Sequence, residues 1–209
     1  MTKIIKDENS KERILKTATK LFAQKGFGGT SVREIAKNAG VNVAMISYYW
    51  GGKKELYQGI IDDMVETQTK YATSALDFAV NPEDLPKEDQ IDLMYKTVDR
   101  AIDFFYGDLS YELLTFLLHG QKEKAIFGNL PLFIYGRKLF AALFNQKENS
   151  REVILTLTSI ITLINSPRLM PNFSLMLMNQ RKFHREDIKI VRKNVHTYMN
   201  ALLREHKVI

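Results

Sequence analysis

Thr30-Ser31-Val32-Arg33-Glu34-Ile35-Ala36-Lys37-Asn38-Ala39-Gly40-Val41-Asn42-Val43-Ala44-Met45-Ile46-Ser47-Tyr48-Tyr49 is the stretch that decides how the N-terminal part of this chain folds. Thr30 or Ser31 can open a short helix by accepting backbone N–H bonds. Glu34, three residues beyond Ser31, completes the pattern of a capping box. Val32, Ile35, Ala36 and Ala39 share the apolar face of that helix. Gly40 ends it, because a tight turn needs a residue that tolerates positive φ. Asn42 can cap a second short helix running through Tyr49, with Ile46 facing inward. Two short helices joined by a glycine turn, behind a longer helix, make a helix-turn-helix unit.

Outward from this stretch the apolar periodicity stays helical. Ile14, Ala18, Leu21 and Phe22 lie on one face of a helix opening near Ser10 and closing at Gly26. Leu56, Ile60, Met64, Tyr71 and Ala75 mark a longer stripe across residues 52–80. Ile91, Met94, Val98, Ala101, Ile102 and Phe105 mark another after Asn81-Pro82. Breaks at Gly107, Gly120, residues 128–131, 145–150 and 165–171 divide the remainder into about five further helices. The helix that Ser150 caps, reaching Ile164, carries apolar residues around most of its circumference and is expected to be buried nearly all round. The last helix, residues 185–206, places Ile188, Val191, Val195, Tyr198, Met199 and Leu202 in one stripe. That pair of helices suits an internal core or half of a four-helix dimer interface. No period-two alternation calls for strands, so the expected fold class is all-α.

Charge is distributed unevenly. Residues 1–57 carry 11 Lys plus Arg against 5 Asp plus Glu, and residues 58–209 carry 19 against 19, so the whole excess of +6 lies in the first quarter. A local basic excess is the footprint of a surface that neutralises phosphates or anionic lipid, or else a solvated charged face. In the second short helix, Val43, Ala44 and Met45 are small or apolar enough to approach base edges and thymine methyls. Ser47, Tyr48 and Tyr49 offer hydroxyls, and Lys53 and Lys54 open the next helix, where ammonium and free backbone N–H groups meet phosphates. Trp50 is read as a packing residue. Lys3, Lys6 and Lys11 are either a phosphate-contacting arm or a solvated tail.

Composition narrows the classes. With 45% hydrophobic and 26% charged residues the chain has ordinary globular values. Zero cysteines remove disulfides, thiolate metal sites and cysteine nucleophiles. The four histidines form no HxxxH or HExxH pair. No nucleophile elbow, Gly-rich phosphate loop or paired acidic motif emerges, so neither an enzyme nor a cofactor or metal is expected. No apolar run reaches the length needed to span a bilayer, and the charged N-terminus does not read as a signal peptide. The expectation is a cytoplasmic protein without a membrane partner.

Residues 12–56 resemble the DNA-binding domain of TetR/AcrR-type transcriptional regulators. The resemblance runs through Ile14-Leu15, Ala18, Leu21-Phe22, Lys25-Gly26-Phe27, residues 30–36, Ala39-Gly40-Val41, Ile46-Ser47-Tyr48-Tyr49 and Lys53-Lys54-Glu55-Leu56, without a gap. Ser47 stands where tyrosine is more usual in the family, and Trp50 where phenylalanine is. The resemblance implies a three-helix helix-turn-helix domain over residues 1–51. A larger helical effector-binding and dimerisation domain would follow over residues 52–209. It further implies a homodimer, usually a repressor, that binds a palindromic operator in double-stranded DNA and is released by a small molecule. Carried over position by position, DNA contacts fall on Ser31, Arg33, Asn42, Val43, Ala44, Met45, Tyr48, Tyr49 and Lys53.

The C-terminal part carries no motif. Ligand-lining candidates are Phe104, Phe116, His119, Tyr135 and Met176, since aromatics and methionine adapt to apolar or aromatic ligands. Such residues also build cores. Arg168 is either an anion contact or solvent-exposed. The resemblance puts dimer contacts on the two late helices, at Ile154, Ile161, Ile188, Val191, Val195, Tyr198 and Leu202. Rival readings are a helical carrier or interaction protein meeting anionic lipid, and a DNA binder without operator specificity.

Overall fold

The computed structural model describes residues 2–74, 76–107, 110–119 and 130–209, with side chains for 9–74, 76–107, 110–116 and 130–209. The described residues form α-helices and no strand: α1 Thr2–Gly29, α2 Val32–Ala39, α3 Ala44–Trp50, α4 Lys53–Thr73, α5 Lys87–Gly107, α6 Tyr111–His119, α7 Pro131–Phe144, α8 Arg151–Leu169, α9 Pro171–Leu177 and α10 Arg185–Glu205. The all-α expectation therefore holds. α4 stops at Thr73, short of the residue 80 that periodicity suggested, and a 3-10 turn at Pro82–Asp84 precedes α5. The expected breaks at Gly120 and Gly128 lie outside the described residues.

The chain divides into two compact units, one from residues 1–67 with 110–126 and the other from residues 68–109 with 127–209. In the first unit, α1 reaches back beyond the expected start at Ser10 and bends at Gly26, whose φ of +70° suits glycine. Thr30 closes the bend: its hydroxyl is buried and donates to the carbonyls of Gly26 (2.9 Å) and Leu21 (3.2 Å). The core gathers Ile14, Ala18 and Phe22 of α1, Ile35 of α2, Ile46 of α3, and Leu56 and Ile60 of α4. Phe116 of α6 joins it, its ring 4.6 Å from that of Tyr57 and 6.2 Å from that of Phe22.

In the second unit α5 packs on α7, and α8 and α10 complete a core of Met94, Ile102, Leu139, Phe140, Val153, Ile164, Val195 and Met199. Arg192 of α10 reaches Asp99 (2.7 Å) and Asp103 (2.5 Å) of α5, while His196 Nε2 lies 2.7 Å from the same Asp99. Lys87 donates to the carbonyls of Ala142 (2.7 Å) and Leu143 (3.1 Å), satisfying two orphan acceptors at the end of α7.

Two expectations about α8 are corrected. The helix is not buried all round: Ile154, Leu155, Thr158, Ser159 and Thr162 are exposed. Nor does it end near Asn165, because it runs through Pro167 to Leu169. Proline at 167 removes the N–H that would have met the carbonyl of Leu163, and the Ser166 hydroxyl donates there instead, at 3.2 Å. Arg168 is buried, not solvent-exposed, and donates through Nη1 to the carbonyl of Phe105.

Candidate nucleic-acid interface

Ser31 caps α2: its backbone is extended and its Oγ accepts the N–H of Glu34 at 3.2 Å. Only half of the expected capping box forms this way, since the Glu34 carboxylate pairs with Lys25 of α1. At the other end Gly40 takes φ +64°, and Val41 N–H returns to the carbonyl of Ala36 at 3.0 Å. Arg13 of α1 donates to the carbonyl of Ala39 at 3.2 Å, placing positive charge at the C-terminus of α2. Asn42 closes the turn through its Oδ1, which accepts the N–H of Ala44 at 2.9 Å. α3 then begins at Ala44, two residues beyond Asn42.

These contacts sort the motif residue by residue. Ile35, Ala36, Ala39 and Ile46 are buried, whereas Ser31, Arg33, Asn42, Val43, Ala44, Ser47 and Tyr48 are exposed. Met45, Tyr49 and Lys53 are half-buried. Of the nine residues assigned to DNA contact, none is buried. Ala44, Ser47 and Tyr48 stand at i, i+3 and i+4, so they share the outward face of α3. Tyr48 is the most open of them, at 77% exposure, with its ring 5.2 Å from that of Tyr49. The Lys53 ammonium lies 4.2 Å from the centre of the Phe27 ring, which positions it at the start of α4.

The packing reading of Trp50 fits its surroundings. It is half-buried against Tyr49, and a Cβ placed on Gly59 would sit 2.6 Å from its Nε1. Gly59 and Arg13 thus fix the helices that carry the interface, and neither was singled out above. The lone glycine inside the α4 pattern was the available signal, since such a glycine often marks close packing. Nothing in the sequence pointed to Arg13. The side chains of Lys3 and Lys6 lie outside those described.

The five ligand-lining candidates are not brought together. Phe116 belongs to the aromatic core of the first unit. Phe104 is buried in the second unit, 5.9 Å from Tyr71 and 6.0 Å from Phe105. Tyr135 donates to the carbonyl of Val80 at 3.3 Å and lines an open groove with Asp77, Asp89 and Asp92. Met176 is exposed on α9, and the side chain of His119 lies outside those described. The dimer candidates also divide. Val191 and Val195 are spent in the core of their own unit, because the most apolar line of α10 meets α5 and α8. Ile154 is exposed, and Ile161, Ile188, Tyr198 and Leu202 are half-buried. No group of three or more His, Asp or Glu among the described residues is arranged to hold a metal. No single described helix is long and apolar enough to cross a membrane.

A capped, glycine-turned helix pair with an open second-helix face defines a helix-turn-helix DNA-binding protein. Residues 14–60 match the family model "Bacterial regulatory proteins, tetR family". Those residues therefore carry a helix-turn-helix DNA-binding region of the tetR-family type. The chain is similar to the Bacillus subtilis "Probable HTH-type transcriptional regulator YttP", with 49% identity over 67 residues, a match spanning 32% of each chain. It is also similar to the "HTH-type transcriptional dual regulator CecR" of Shigella flexneri, with 26% identity over 211 residues, spanning 95% of this chain and 93% of that one. Among solved structures, the TetR-family regulator PfmR from Thermus thermophilus shares the fold. Its TM-score is 0.55 at 20% identity, covering 88% of this chain and 92% of that one.

Proposed function

We propose that this protein is a ligand-responsive repressor that binds a palindromic operator as a homodimer and is released by a small apolar or aromatic effector. It acts in the cytoplasm, where its DNA is. Residues 1–51 serve as the DNA-binding domain and residues 52–209 as the effector and dimerisation domain. In this reading Val43, Ala44, Met45, Tyr48 and Tyr49 meet bases, while Ser31, Arg33, Asn42 and Lys53 hold the phosphates. The observation that carries it is the outward face of Ala44, Ser47 and Tyr48, held on a buried Ile35–Ile46 core in the quarter of the chain that bears the whole positive excess.

Selection from random duplex DNA tests this reading. An enriched palindrome with half-sites about one helical turn apart is expected. Retention without enrichment would reduce the protein to a backbone binder. With about four phosphates neutralised per half-site, log K should fall with log[salt] at a slope on the order of −7. Arg33→Ala should weaken binding to all sequences and make that slope shallower by about 1 per subunit. Val43→Ala should instead change which sequence is preferred.

A further inference from the structure

Within the second unit lies an apolar cavity of about 50 Å³, walled by Val98 and Phe105 of α5, Phe140 of α7, Leu157 and Ile160 of α8, and by Gln68 of α4. Gln68 is only 2% exposed, and its Oε1 is buried with no hydrogen-bond partner among the described residues. The other polar residue on the wall, Thr97, is satisfied: its hydroxyl donates to the carbonyl of Leu93 at 2.7 Å. A buried carbonyl oxygen without a donor is costly, and leucine at this position would avoid the cost. The unpaired acceptor is half of a hydrogen bond awaiting its donor.

We infer that this cavity is the effector site, and that it takes a small uncharged molecule with an apolar body and one hydroxyl group, of the phenol or alcohol type, donating to Gln68 Oε1. The inference rests on the ligand-responsive reading above and names the chemistry of its effector. Charge excludes other classes: among the described lining residues none is ionisable, so a carboxylate or an ammonium would enter without a counter-charge. Size bears on how the site fills. The cavity is smaller than the ~150 Å³ known to accommodate benzene, so a ring-sized guest must displace a wall residue. Phe133 is the largest lining side chain that is only half-buried, and it is the one placed to yield. Gln68 also belongs to α4, the helix that opens with Lys53, so one helix carries both an effector contact and a DNA contact.

Full-length protein labelled at isoleucine methyls and titrated with phenol, toluene and benzoate tests the inference by NMR. Phenol should shift the methyls of Ile160, Ile161 and Ile164 saturably, toluene should bind at least about tenfold more weakly, and benzoate should leave the three methyls unmoved. Gln68→Leu should invert the preference of phenol over toluene. If that variant fails to fold, Phe133→Ala replaces it and should raise the affinity for both probes while keeping phenol ahead. Equal binding of phenol and toluene would overturn hydroxyl recognition, and unmoved methyls with every probe would overturn the cavity as a site. Operator binding measured on the same samples completes the test. Phenol should weaken it in the wild-type protein; saturable phenol binding that leaves it unchanged would overturn the effector role. A ligand-free protein that retains no DNA would instead indict the regulator reading itself, whichever way the probe titrations fall.

Discussion

Ile46 of α3 and Leu155 of α8 are aliphatic residues of similar size on helices, yet Ile46 is 1% exposed and Leu155 is 64% exposed. Around Ile46 each backbone turn has its own polar or glycine partner: Ser31 at the start of α2, Gly40 at its end and Asn42 in the turn. Local chemistry leaves the two short helices one arrangement, and Ile46 is directed inward by it. α8 has a serine cap at Ser150 but carries apolar residues on nearly every side, and among the described residues its outward Ile154 and Leu155 are left exposed. α9 goes further and buries none of its residues. A region dense in turn-specifying residues assigns each apolar side chain a place; a region dense only in apolar residues does not.

Truncation at the two positions should break the comparison most sharply. Ile46→Ala empties a site in a small core and should cost about 2–5 kcal/mol, read as a loss of thermal stability by circular dichroism. Leu155→Ala should change stability by no more than about 0.5 kcal/mol in dilute protein. A penalty at Leu155 comparable to that at Ile46 would mean that another copy covers α8, and would favour the proposed homodimer through that face.

The same contrast governs what could be read in advance. The helix-turn-helix was legible because caps, the glycine and the apolar spacing all fall within about twenty consecutive residues and obey local rules. Val191 and Val195 were misplaced because an amphipathic stripe on α10 looks the same whether it meets its own unit or another copy. Phe116 was misplaced because nothing local marks residues 110–119 as packing with the N-terminal helices. Gln68 went unnoticed since a glutamine in a charged helix reads as solvent-facing, and only packing reveals that it is buried.

Gly59→Ala comes next in size. The added Cβ would lie 2.6 Å from the indole nitrogen of Trp50, so the indole or α4 must shift. Overpacking of this kind costs about 1–3 kcal/mol. Operator affinity should fall further than thermal stability, because the displaced Trp50 ends the helix that carries Tyr48. Gly40→Ala should cost about 1–2 kcal/mol for a different reason. A Cβ there meets nothing within 4 Å, and the penalty is wholly that of the left-handed backbone at φ +64°. Gly40→Asn should recover part of it, since asparagine tolerates that conformation, and a full loss in both variants would show that space matters after all.

A smaller effect than at either glycine is expected at neutral pH in the second unit, at Tyr106. Its hydroxyl donates to the carbonyl of Ile164 at 3.0 Å, and burial pushes the phenol from 10.0 up to about 12, with Arg168 opposing the rise and Asp187 adding to it. Raised in the folded state, the group holds its proton where the unfolded chain has lost it. Its contribution to stability is complete below pH 10 and is lost as pH climbs from about 10 through about 12. Denaturant unfolding at stepped pH should show that alkaline decline in the wild type and a flatter one in Tyr106→Phe, which has no proton to lose. At pH 7 the variant should differ only by the missing hydrogen bond, about 0.5–1.5 kcal/mol. An equal alkaline decline in both proteins would place the titration elsewhere and leave Tyr106 as a packing residue alone.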